Sequence, residues 1–176
     1  MDERVRRDAR FCWPHVLSRD TSNEDFKAAL AAAENAGNAN NTSIILRYSV
    51  EDSCSFLFMG DMETDMIEKI EDDVNWPSID VLFAPHHGRS SATVPSSILH
   101  KMDPESLVLG EAPSQHLQYY PGYNTISQNS AKNIVFEADT GWVHIYSSNQ
   151  NYSVNFLVNL QRDPYKGCRY IGSLEV

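Results

Sequence analysis

Phe56-Leu57-Phe58-Met59-Gly60-Asp61 and Ile79-Asp80-Val81-Leu82-Phe83-Ala84-Pro85-His86-His87-Gly88 decide how this chain is read. Each is an apolar run of strand length that stops abruptly at residues able to do chemistry. Between them, Glu63 to Asp73 sets Met66, Ile67 and Ile70 at helical spacing among acids. A strand, a helix and a second strand return the chain to a parallel neighbour. The two strand ends, and with them Asp61 and His87, are therefore expected side by side at one sheet edge. Ligands collect at such edges, because rigid backbone there presents side chains to a crevice.

Working upstream, Ser43 to Val50 and Ser53 to Met59 read as two strands joined by a hairpin turn at Glu51-Asp52. Phe26 to Ala36 reads as a helix that Ser22 or Asn23 caps and that Gly37 and the Asn-rich run to Asn41 stop. Phe11 to Val16 is a short apolar piece interrupted by Pro14. Downstream, the pattern predicts a helix around Pro95 to Lys101 and a short strand over Ser106 to Leu109. A polar loop with Tyr119, Tyr120 and Tyr123 spans Glu111 to Asn129, and Glu111 is placed to face the same crevice. Ile134 to Glu137, Trp142 to Ser147 and Tyr152 to Leu160 then read as antiparallel strands. The alternation indicates an α/β (α+β) fold, a mixed sheet with helices on one side, in a single domain over residues 1–176.

Composition narrows the function classes. Hydrophobic residues make up 41% and charged residues 22%, which is ordinary for a globular chain. No apolar run approaches the roughly 18 residues of a membrane span, and the charged stretch Met1 to Arg10 does not read as a signal peptide. A formal net charge of −10 argues against a nucleic-acid partner. The three cysteines, Cys12, Cys54 and Cys168, form no CxxC pair, so they read as reduced thiols of a cytoplasmic protein.

Asp61 follows an apolar strand and a glycine that permits a tight turn, so its carboxylate either points into a cleft or caps the next helix. Adjacent imidazoles at a strand end are either metal ligands with proton-transfer capacity or two solvated rings on a surface turn. Together, a carboxylate and a histidine at neighbouring strand ends match a recurring dinuclear metal arrangement. Arg89 reads as a partner for an anionic group, or else as a solvated surface residue. His116 lies in the aromatic loop, and His100 and His144 read as structural.

The runs Asn41-Thr42-Ser43-Ile44-Ile45-Leu46-Arg47-Tyr48, Phe56 to Glu63 and Asp80 to Gly88, with Cys12-Trp13-Pro14 before them, resemble metallo-β-lactamase-fold hydrolases of the ComEC-like group. The resemblance covers roughly residues 11 to 110 and implies the carboxyl-terminal portion of a four-layer αββα sandwich. It implies a pair of zinc ions that activate a water against a phosphoester or another hydrolysable bond. Asp61 would bridge them and His87, or else His86, would bind the second. His86 or His116 would assist protons or substrate, and the loop of Arg89, Ser90 and Ser91 would lie beside the site. The sequence departs from the family in one respect: the family's upstream His-x-His-x-Asp-His cluster, and the further His before the Gly-Asp, are not among its 176 residues. His15 is the only histidine before Asp61.

The implied protein is therefore a metal-dependent hydrolase represented by its carboxyl part, metal-poor and inactive by itself, with a small-molecule or phosphoester substrate. Its partner would be an amino-terminal half or another copy of the chain, as a homodimer. Two alternatives stand beside it: a catalytically degenerate half-domain used for assembly, and a nuclease-like phosphodiesterase that rests on family alone.

Overall fold

A computed structural model describes residues 7–13, 24–51, 53–118 and 120–176. Strand β1 (Arg7–Trp13) and helix α1 (Glu24–Ala36) lead into β2 (Ile45–Val50) and β3 (Ser55–Phe58). Helix α2 (Thr64–Lys69), β4 (Val81–Phe83), α3 (Ser96–Met102) and β5 (Ser106–Leu109) then alternate, followed by β6 (Thr125–Ser127) and the single turn α4 (Gln128–Ala131). The chain ends in β7 (Ile134–Asp139), β8 (Trp142–Ser147) and β9 (Arg169–Glu175).

The strands form two sheets. The first has six strands in sequence order, β1 to β6, and the second has three, β7 to β9. β1, β2 and β3 pair antiparallel, whereas β3, β4, β5 and β6 pair parallel. The mixed sheet expected from the α/β alternation is thus present, and the fold is α+β.

Strand periodicity sorts the side chains into two cores. Leu57, Leu82, Leu107 and Leu109 face α2 and α3, which contribute Met66, Ile67, Ile98, Leu99 and Met102 to one buried cluster. The alternate positions, Phe56, Val81, Val108 and Ile126, face the second sheet and meet Val143, Ile145 and Leu174. At the opposite ends of these strands from the site, Asp80 Oδ2 accepts from the Ser55 amide at 2.6 Å and the Ser55 hydroxyl at 2.8 Å, which fixes how β3 and β4 start.

Three expectations need correction. Tyr152 to Leu160 is not a strand; its only ladder pairing with β9 among the described residues is the isolated Val158–Ser173 bridge. Its asparagines satisfy the backbone locally, as where Asn159 Oδ1 accepts from the Gln161 amide at 2.9 Å, and that competes with a ladder. The third strand is β9 instead. The region 111–129 is also not all loop, because β6 adds to the first sheet there. The helix expected over Glu63 to Asp73 is regular only to Lys69, and tighter turns carry the chain to Val74. Pro14 to Val16 and Ser22-Asn23, read above as the end of an apolar piece and as a cap, lie outside the described residues. No helix among the described residues is long and apolar enough to cross a membrane.

Candidate functional site

The parallel pairing of β3 with β4 sets Phe58 opposite Phe83, so the residues that follow leave the sheet at the same level. The β3 exit turns at Gly60, with φ +57. A side chain there would meet Ser43 Cβ and Oγ at 2.8 Å, so the turn demands glycine on conformation and on space. Ser43 Oγ then accepts from the Asp61 amide at 3.0 Å and orients the start of the acidic turn. Helix α2 takes Glu63 as its N-cap residue, which leaves the Asp61 carboxylate without a capping role.

The β4 exit is held to the same turn, because the His86 amide donates to the Gly60 carbonyl at 2.9 Å. His86 and His87 both adopt left-handed backbone, at φ 47 and φ 61. Two successive non-glycine residues in that region cost on the order of 1–3 kcal/mol each, which the surrounding packing offsets. The strained turn sends the two rings in different directions. His87 Nε2 comes to 3.9 Å from Asp61 Oδ1, with both side chains half exposed. His86 turns inward, and its Nδ1 lies 3.5 Å from Glu63 Oε1, too long for a firm hydrogen bond. Each histidine thus faces one carboxylate, and neither pair is the doubly solvated surface turn weighed above.

Asp61 and His87 stand at one end of a cleft of about 420 Å³ between the two sheets. Its other walls are mostly apolar, Phe58, Phe83 and Val108 from the first sheet and Ile134 and Phe136 from the second, with Gln128 of α4 as a polar member. Gly110, just past β5, makes room for the imidazole. A Cβ at that position would lie 2.7 Å from His87 Nδ1 and 2.9 Å from its Cβ.

Asp61 and His87, chosen from sequence, are therefore brought together, and His86 sits immediately behind them. Arg89, Ser90, Ser91 and His116 are not among the cleft's lining residues. Ser90 and Ser91 lie exposed in a short 3-10 turn, and His116 is exposed in another. The Arg89 backbone bridges to Leu117, which ties the loop after the histidines to the segment before Tyr120. Glu111 is exposed and likewise does not line the cleft. Tyr120 is in the helix-side core, 3% exposed, where its hydroxyl accepts from the Val94 amide and burial pushes its pKa up to about 12. Tyr119 lies outside the described residues.

Sequence reasoning passed over Glu63 and Gly110. Glu63 was visible as the acid two residues after Asp61, and Gly110 as the glycine ending the strand next to β4.

The donor types at this edge suit zinc, but their number does not. Among the described residues no group of three or more His, Cys, Asp or Glu side chains converges as a metal site. Asp61 and His87 supply two donors, where a tight zinc site takes about four. By themselves the described residues do not close such a site. Comparison with known protein families finds none that matches this chain, and comparison with curated proteins finds none that matches either.

Proposed function

We propose that this chain is the carboxyl part of a metal-dependent hydrolase of the metallo-β-lactamase superfamily. One observation carries the reading: a carboxylate and an imidazole leave adjacent parallel strands at the same level and meet at 3.9 Å at the mouth of a cleft. Asp61 and His87 are the metal donors of this half, and the remaining donors come from outside the described residues. His86, whose ring lies 6.3 Å from that of His87, is the group assigned to proton transfer. Zinc is the metal the family resemblance implies, and a carboxylate and imidazole set is compatible with it. The substrate is a small molecule or phosphoester that enters the cleft. The net charge of −10 weighs against the nuclease variant of this reading.

The experiment is a zinc titration by calorimetry on this chain and on the chain extended by its upstream coding sequence. The extension is expected to carry a His-x-His-x-Asp-His cluster and to tighten zinc binding by several orders of magnitude, with Asp61→Asn and His87→Ala each reversing most of the gain. An extended gene without that cluster, or zinc binding indifferent to both substitutions, would sink the reading.

The alternative of a degenerate half-domain pairing with another copy draws on β7, whose outer edge has no strand partner among the described residues. That edge strand, however, carries Glu137 and Asp139, and carboxylates on an edge strand oppose pairing with a second copy of themselves. The hydrolase reading is therefore the leading one.

A further inference from the structure

We infer that Gln128 selects the substrate at its far end: the cleft takes a small, largely apolar molecule whose end away from Asp61 and His87 carries an uncharged carbonyl or amide group, held by the Gln128 carboxamide. The inference rests on the reading of Asp61 and His87 as the metal end of the site, and it adds the kind of molecule the site takes and the residue that recognises it.

The row of parallel strand ends lays the site out. Phe58, Phe83, Val108 and Ile126 stand at one level across β3, β4, β5 and β6. Asp61, His87, Gly110 and Gln128 follow them within a few residues, one at each strand exit, and all four line the cleft. Gln128 leaves the sheet two strands from His87 and three from Asp61, which at the usual strand spacing is roughly 10 Å and 14 Å. Between them, β5 ends in Gly110 and adds no side chain. The polar groups of the cleft therefore stand at its two ends, with apolar walls between.

Gln128 is fixed in backbone and free in side chain. The single turn α4 begins at it, and its carbonyl accepts from the Lys132 amide at 2.8 Å. The next residue, Asn129, commits both ends of its amide to the chain: Nδ2 donates to the Ala112 carbonyl at 2.6 Å, and Oδ1 accepts from the Ala112 amide at 3.2 Å. The Gln128 carboxamide, half-buried in the cleft wall, has no such partner among the described residues. It can donate and accept at once. Apart from Asp61 and His87 it is the one polar side chain lining the cleft. Phe58 and Phe83 stack on each other at 4.5 Å, so they offer a guest apolar surface and shape rather than a stacking partner. Few polar groups in an apolar cleft of about 420 Å³ fix the orientation of a small molecule. A charged group at the Gln128 end would lose solvation with no countercharge beside it, so the group bound there is uncharged.

The probe is cyclohexanecarboxamide, titrated into the metal-free chain and followed by NMR. It is expected to bind with a Kd on the order of 1 mM and to shift the Gln128 side-chain amide protons. Its ring should give nuclear Overhauser contacts to Val108, Ile134 and Phe136. Gln128→Leu keeps the size and removes the amide, and it should weaken binding about fivefold, the scale of one hydrogen bond. A thermal scan reports whether that variant is folded, and the wild-type contacts need no variant. Asp61→Asn should leave the affinity for the amide unchanged, because the probe sits at the other end. In that variant, where the Asp61 charge plays no part, cyclohexanecarboxylate is expected to bind about fivefold more weakly than the amide or worse. Absence of binding, contacts that leave out Gln128, equal affinity in Gln128→Leu, or a carboxylate as tight as the amide overturns the inference. The two proposals fail separately, since zinc binding is read at Asp61 and His87 and the amide probe at Gln128 without metal.

Discussion

At the scale of single residues, the site is built as much by what is absent from side chains as by what is present. Gly110 is the clearest case, because its missing Cβ is the space that the His87 ring occupies. Gly110→Ala is expected to push His87 out of reach of Asp61 while leaving the sheet intact, since Gly110 lies past the end of β5. Imidazole nitrogen shifts of His87 would move and those of His144, in the other sheet, would not. Gly60→Ala should be worse, because it adds a backbone penalty at φ +57 to a 2.8 Å clash with Ser43. A loss of about 2 kcal/mol or more in denaturant unfolding is expected, from the conformational cost and the overpacking together. Cysteine chemistry gives a third residue-level outcome. Cys54 is 2% exposed and burial holds its thiol pKa up at about 11, while Cys12 is raised for the same reason. A disulfide reagent at pH 8 should therefore label Cys54 only as fast as the protein opens, with labelling accelerating in denaturant.

At the scale of elements, the irregular segment between β8 and β9 is held by a directed chain of hydrogen bonds. Arg162 Nη1 lies 2.7 Å from His144 Nε2, and as an arginine it can only donate. His144 must then carry its proton on Nδ1, which donates to Ser173 Oγ at 2.7 Å. The Ser173 hydroxyl donates in turn to Tyr170 at 2.6 Å, and Tyr170 donates to the Val158 carbonyl at 3.2 Å. Arg162 also donates to Glu137 at 3.2 Å, a carboxylate that accepts from Tyr146 at 2.7 Å. His144 is 2% exposed, so removing its donor leaves a buried acceptor unpaired. Arg162→Met is expected to cost about 1–3 kcal/mol and to raise amide exchange at Val158 and Leu160 first. Acid should act on the same cluster through Asp139. Its pKa is lowered from 3.8, mainly by the Thr140 amide, with the Arg162 guanidinium adding to the effect. A depressed carboxyl pKa contributes stability above the unfolded value and loses it as the pH falls through the folded one. The Asp139 carboxyl should accordingly titrate below 3.8 in the native protein and move up toward that value in Arg162→Met.

The same scale shows what the sequence made legible. Strands β3, β4 and β5 were readable because each is an unbroken apolar run, and two of the three end in a marked motif. Strand β6 was not, since Thr125-Ile126-Ser127 buries one apolar side chain only and its pairing with β5 is decided by distant residues. Strand β9 was not assigned from the sequence, because Gly172 and Ser173 break its apolar pattern; in the fold Ser173 is buried as a link in the hydrogen-bond chain. For the site, the pairing of Asp61 with His87 followed from parallel topology. The His86–Glu63 approach did not, because it depends on two left-handed residues that no periodicity encodes.

At the scale of the whole molecule, the question is whether the metal donors beyond Asp61 and His87 lie within this chain, and a stability measurement decides it by magnitude. Residues 14–23 lie outside those described and hold His15 and Asp20, two side chains of ligating type. A ligand stabilises the native state by RT ln(1 + [L]/Kd). If Asp61 and His87 act alone, with a Kd on the order of 100 µM, then 100 µM zinc contributes about 0.4 kcal/mol and raises Tm by about 1 °C in a chain of this size. A site closed by four donors with a Kd near 1 nM contributes about 7 kcal/mol under the same conditions, a rise of roughly 15–25 °C. Under the proposal that the remaining donors belong to another half, a calorimetric scan of this chain with and without 100 µM zinc gives the small shift. The extended protein gives the large one, and it loses that rise in Asp61→Asn and His87→Ala. A large shift in the present chain would place the missing donors in residues such as His15 and Asp20 and would make the site complete without an upstream half.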